Sequence, residues 1–153
     1  MAKRIRVGDV VEVATSNGLA YAQVSHIHRE ERSAYGPLLR VLPGFFLKRP
    51  AQLAELASQD ATVLMFCALS AAVRDGICEV VGNVPVPEKY RESPVFRTTD
   101  DPAGIAGNWA FWDGKKTWFV GKKISPEERK MPFRSICDGV LFRERIEQGW
   151  TGA

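Results

Sequence analysis

The sequence predicts a mainly β domain, α+β by strict naming, built as a strongly bent antiparallel sheet or partial barrel with short helices and a C-terminal helix. Three observations lead there. Short β-branched or apolar runs recur between residues 7 and 81, each bounded by Gly, Pro or Asn. The helix-forming stretches between them last only a turn or two. The final stretch, residues 140–148, follows Asp138 and stops at Gly149, as an N-capped helix with a glycine stop does.

The elements follow in order. Val7-Gly8-Asp9-Val10-Val11-Glu12-Val13 is β-branched, and Ser16-Asn17-Gly18 supplies turn chemistry before residues 19–28, so the two runs read as an antiparallel hairpin. Residues 38–42 form a third strand closed by Pro43-Gly44. Ala51-Gln52-Leu53-Ala54-Glu55-Leu56-Ala57 after Pro50 reads as a short helix. Residues 62–67 are an apolar run of strand length, residues 70–76 a short capped helix, and residues 77–81 another buried strand. Pro85 and Pro87 then impose an extended loop. Asp113-Gly114 between two aromatic segments is the strongest hairpin signal in the chain. Ser125-Pro126-Glu127-Glu128 has the pattern of a capping box, and Thr98-Thr99-Asp100-Asp101-Pro102 has the composition of a turn.

With 153 residues and 45% apolar content, the chain is expected to fold as one domain, residues 1–153, without disulfide or metal staples. The longest apolar stretch, residues 61–73, is broken by Thr62 and Ser70 and is too short for the ~20 residues of a membrane span. Gly8, Asp9 and Glu12 stand where a signal peptide would be apolar, so a cytoplasmic location is expected. A net charge of +3 is mildly basic and lacks the strong footprint of a dedicated nucleic-acid binder.

Candidate chemistry is sparse. Cys67, Cys78 and Cys137 are odd in number and form no C-x-x-C pair, so they read as buried free thiols. His26 and His28, two apart on a strand, share a face as a metal pair would, but no third ligand lies nearby in sequence. No nucleophile elbow and no phosphate-cradling loop is present, and Gly104-Ile105-Ala106-Gly107 lacks the flanking basic residues of a nucleotide clamp. A non-enzymatic protein without cofactor or metal is therefore expected.

The informative stretch is residues 108–123, with Trp109, Trp112 and Trp118 interleaved with Lys115, Lys116, Lys122 and Lys123. A two-residue Asp113-Gly114 turn sets Trp109 opposite Trp118 and Trp112 opposite Lys115; a loop of residues 113–116 places Trp109, Phe111, Trp118 and Val120 on one face. Either register leaves large aromatics on both faces, one for the core and the other for a covering element or a partner. Trp109, Trp112, Trp118, Lys115 and Lys116 are thus candidate partner-binding residues. The alternative partner is nucleic acid, with bases stacked on the indoles over a lysine track. Asp100 and Asp101, an acidic pair with no base within two positions, are candidates for contact with a basic protein partner.

Two segments carry a family resemblance. Arg6-Val7-Gly8-Asp9-Val10-Val11-Glu12-Val13 with Gly18-Leu19-Ala20-Tyr21-Ala22-Gln23-Val24 resembles the opening hairpin of the immunity protein 26 family of bacterial polymorphic-toxin systems. Gly76-Ile77-Cys78-Glu79-Val80-Val81-Gly82-Asn83-Val84-Pro85-Val86-Pro87 resembles that family's later strand and proline-bearing loop. Together they span about a fifth of the chain. The resemblance implies a mostly β, non-enzymatic protein that neutralises a toxin, often a nuclease, by binding it. No binding residue is carried over from the family.

Overall fold

The computed structural model describes residues 4–27, 36–99 and 108–151. Strands β1 (Asp9–Thr15) and β2 (Gly18–His26) form the expected hairpin, in which Thr15 pairs with Gly18. Gly18 sits at φ +120°, and a Cβ there would lie 3.0 Å from the Phe46 carbonyl oxygen. The chain continues through β3 (Leu38–Val41), α1 (Leu53–Ala57), β4 (Val63–Cys67), α2 (Leu69–Arg74) and β5 (Cys78–Asn83). After a 3₁₀ turn at Glu88–Tyr90 come β6 (Phe96–Thr99), β7 (Trp109–Trp112), β8 (Thr117–Gly121), β9 (Ile136–Cys137) and α3 (Gly139–Glu147).

Six strands make one bent, unclosed sheet in the order β5-β1-β2-β3-β4-β9. Its pairs are antiparallel except β4 with β9, which run parallel. Register shifts between Val10 and Val11, and between Val24 and His26, supply the bending. The second sheet is the antiparallel meander β6-β7-β8.

Alternation along the strands divides the large sheet into two unlike faces. Val11, Val13, Ala20, Ala22, Val24, Leu39, Val41 and Met65 meet Leu69 and Ala72 of α2 and Phe142 and Ile146 of α3. The two helices approach closely because residue 139 is glycine: a Cβ there would stand 2.7 Å from the Ala72 Cβ. Asp138 caps α3 by accepting from the Leu141 amide at 2.8 Å. Glu147 ties this helix to the first hairpin, accepting the Ser16 amide at 3.0 Å on its carboxylate and the Asn17 side chain at 3.1 Å on its backbone carbonyl.

The opposite face has three zones. Val10, Tyr21 and Leu42 pack on Leu56 and Ala57 of α1. In the middle lies Arg40, fully buried with no carboxylate among its hydrogen-bond partners. Its guanidinium donates to Gln23 Oε1 at 2.8 Å, to the Gln59 carbonyl at 2.9 Å and to the Ala57 carbonyl, and lies 4.7 Å over the Tyr90 ring. In the third zone Leu38 and Phe66 receive Phe96 and Trp112 of the second sheet, with ring centroids 5.0–6.0 Å apart.

Three local expectations change. Thr98 and Thr99 belong to β6 rather than to a turn, because β7 on one side and the chain around Phe133 on the other take up its backbone groups. The capping box of Ser125 and Glu128 forms reciprocally, at 2.8 and 3.0 Å, but opens a single 3₁₀ turn, Glu128–Lys130, before Pro132. Helix α2 starts at Leu69, so Ser70 is inside it and contributes no cap.

Candidate functional site

Asp113 shapes the tip of the aromatic hairpin. Its Oδ1 accepts from the Lys115 and Lys116 amides, both at 2.9 Å, while Gly114 takes φ +97°. These two bonds, that to Lys116 foremost, hold the Asp113 carboxyl below the usual range. The loop therefore spans residues 113–116, and Trp112 pairs with Thr117, Phe111 with Trp118 and Ala110 with Phe119. A bulge between Trp109 and Ala110 then pairs Trp109 with Gly121, leaving Val120 as the extra residue. Phe111 and Trp118 share a face, their rings edge-to-face at 6.1 Å.

Both tryptophans of β7 are core residues, a correction to their expected partner-binding role. Trp112 has no exposure; it is locked between Phe66 and Phe96, with the Arg134 guanidinium 4.1 Å over its ring. Trp109, 9% exposed, packs with Phe111 and Ile124 behind Phe133, and the Arg97 guanidinium covers it at 5.6 Å. Trp109 and Phe111 on one face of β7 meet Ile124 and Phe133, and Trp112 on the other meets Leu38 and Phe66, so each face lies against a packed layer. Base stacking on Trp109 or Trp112 is blocked for the same reason.

β8 is different. Trp118 is 36% exposed and Phe119 74%, and Thr117 and Val120 are also exposed. Lys115 and Lys116 precede the strand, Lys122 and Lys123 follow it, and all four are exposed and outside every ion pair of the described residues. The Lys116 ammonium lies 5.9 Å over the Trp118 ring. The two outer strands of the small sheet are also unlike each other. On β6, Arg97 donates its amide to the Pro132 carbonyl and accepts the Arg134 amide, both at 2.9 Å. Among the described residues, nothing pairs with the outer side of β8.

The remaining candidates are scattered or silent. Asp100, Asp101, His28 and residues 104–107 lie outside the described residues. Both ring nitrogens of His26 are hydrogen-bonded: Nε2–H donates to the Arg91 carbonyl at 2.9 Å and Nδ1 meets Ser25 Oγ at 3.1 Å. Burial pulls the imidazole below its ordinary value. Among the described residues no three His, Cys, Asp or Glu side chains are arranged to hold a metal ion. The three cysteines are free and buried, as expected. Cys67 is raised by its hydrogen bond with Cys137 and by burial, and burial pushes Cys78 up to about 11. An open cleft of about 470 Å³ beside Tyr90, Phe133 and Trp150 includes Arg129 and Lys130 but no carboxylate, imidazole or thiol. No helix among the described residues is long and apolar enough to cross a membrane.

Sequence reasoning missed Phe119, the most exposed aromatic of the hairpin, and the arginines that cover the inner indoles. A signal for Phe119 was present: lysine pairs at both ends of a short apolar strand are the usual marking of an open sheet edge. Compared with known proteins, the chain matches no family model, no curated protein and no solved structure.

Proposed function

We propose that this chain is a non-enzymatic, cytoplasmic protein-binding protein that neutralises a toxin by direct contact, and that β8 makes that contact. The observation that carries the reading is Phe119, three-quarters exposed next to Trp118 and Val120 within a frame of four exposed lysines that lie outside every ion pair of the described residues. Aromatic side chains at such places dominate binding energies, while the polar rim sets register and encounter rate. The resemblance of residues 6–13, 18–24 and 76–87 to the immunity protein 26 family supplies the class of partner. If the toxin is a nuclease, its substrate groove is basic and repels this lysine frame, so contact falls on another, acidic face. The nucleic-acid alternative keeps the four lysines but retains Trp118 alone of the three indoles as an accessible stacking ring, with Phe119 next to it in the strand.

The test is growth protection. The product of the reading frame directly upstream of this chain's gene is expressed with the wild-type protein, with Phe119→Asp, and with Leu47→Ser as a control at another exposed apolar position. Protection by the wild type and the control but not by folded Phe119→Asp supports the reading. Equal protection by all three refutes β8 as the contact, and no protection by the wild type refutes the toxin. Binding of mixed oligonucleotides at low salt, with a slope near −0.7 per phosphate on single strands, favours the alternative.

A further inference from the structure

We propose that β8 binds its partner by backbone strand addition, and that the segment it accepts is an extended stretch with an apolar centre and carboxylates at both ends. The inference rests on the protein-binding reading above and goes further by naming the mode and the chemistry.

The ladder fixes which backbone groups are free. The Asp113 amide donates to the Lys116 carbonyl at 3.3 Å, so this pair is hydrogen-bonded. Pairs alternate in an antiparallel ladder, making Phe111–Trp118 the next bonded pair and Trp112–Thr117 and Ala110–Phe119 the unbonded ones. The N–H and C=O groups of Thr117 and Phe119 therefore point away from β7, to the side where no described residue pairs. An incoming strand finds two donors and two acceptors already in β geometry, with Trp118 on one face of the sheet and Phe119 on the other to cover its side chains.

Charge decides what that strand is. From Lys116 to Lys122 the strand rises about 20 Å. A second copy of this chain, paired antiparallel about Phe119, would bring Lys115 and Lys116 against Lys123 and Lys122, and like charges facing across a ladder are repelled. A partner strand with acidic residues at those same positions is attracted instead. The lysines that block self-association thus select a heterologous acidic segment.

The experiment uses the full chain and an acetylated, amidated peptide, Asp-Glu-Val-Thr-Val-Thr-Val-Glu-Asp. Amide exchange is followed by NMR with three additions: this peptide, its counterpart with Lys at the four acidic positions, and a version N-methylated on alternate residues. The expected result is a slowing of exchange at Thr117 and Phe119 by about tenfold or more with the acidic peptide alone, lost at high salt. Unchanged exchange at both amides with millimolar peptide overturns strand addition, as does equal protection by the N-methylated peptide. Protection that grows with protein concentration in the absence of peptide overturns the heterologous occupant. The two proposals fail separately. Loss of growth protection in Phe119→Asp with unprotected amides leaves β8 as a side-chain contact only. Protected amides with full growth protection by Phe119→Asp remove the toxin-binding role instead.

Discussion

Three aromatic positions of one hairpin, truncated one at a time, separate core from surface. Trp112 has no exposure, so its removal returns about 200 Å² of apolar area, or roughly 5 kcal/mol, within the 3–5 kcal/mol typical of buried Trp→Ala changes. Trp118 is 36% exposed, which caps its loss near 3 kcal/mol by the same arithmetic. Unfolded chains already bury some of that area, so about 2–3 kcal/mol is the expected cost of Trp118→Ala. Phe119 is 74% exposed, and Phe119→Thr preserves strand preference while losing only about 50 Å² of contact, about 1 kcal/mol or less. Urea denaturation followed by far-ultraviolet circular dichroism measures all three. The expected order of loss is Trp112→Ala, then Trp118→Ala, then Phe119→Thr, with slopes matching the wild type where the variant folds. A cost above about 2 kcal/mol for Phe119→Thr would refute the reasoning, since a ring packed that well is not free for a partner.

Other outcomes follow from the described contacts. Gly139→Ala drives a methyl into Ala72 across the α2–α3 contact; overpacking of about 1–3 kcal/mol outweighs the gain in helix preference, and the melting temperature falls. Arg40→Met leaves the Ala57 and Gln59 carbonyls and Gln23 Oε1 without their donor, so denaturation should show a loss of about 2–5 kcal/mol. His26 is depressed in the folded state, so the unfolded chain takes up its proton first; stability falls as pH drops below about 6.5, and His26→Gln flattens that slope in melts between pH 7 and 5. The buried thiols should react with a disulfide reagent only after denaturation, when all three titrate.

The sequence made plain whatever depends on near neighbours. The β1–β2 hairpin follows from β-branched alternation and a Ser-Asn-Gly turn, and α3 from Asp138 and Gly149, because caps and turns are settled within a few residues. β6 and β9 were not legible. Phe96–Thr99 is a strand because β7 and residues 132–134 flank it, and Ile136–Cys137 because it lies beside β4, contacts that no local pattern announces. Likewise the loop at residues 113–116 could be written down as one of two registers, but which indole is covered depends on Phe66 and Phe96 from other strands. Arg40 interrupts an otherwise apolar strand; the Ala57 and Gln59 carbonyls, Gln23 Oε1 and the Tyr90 ring, all distant in sequence, explain why a buried cation is tolerated there.

The bond between Glu147 and the Ser16–Asn17 turn also bears on how the protein is made. Residues at opposite ends of the chain complete one another: α3 roofs β1, and β9 extends the sheet that β1 and β2 begin. A nascent chain emerging from the ribosome has only α2 to cover that face of its first hairpin, and gains the rest of the roof when residues 139–147 clear the exit tunnel. Such long-range closure slows folding and leaves apolar strands exposed meanwhile. Ribosome-bound chains stalled with residues up to 135 outside the tunnel should therefore recruit chaperones, and release on extension past Trp150.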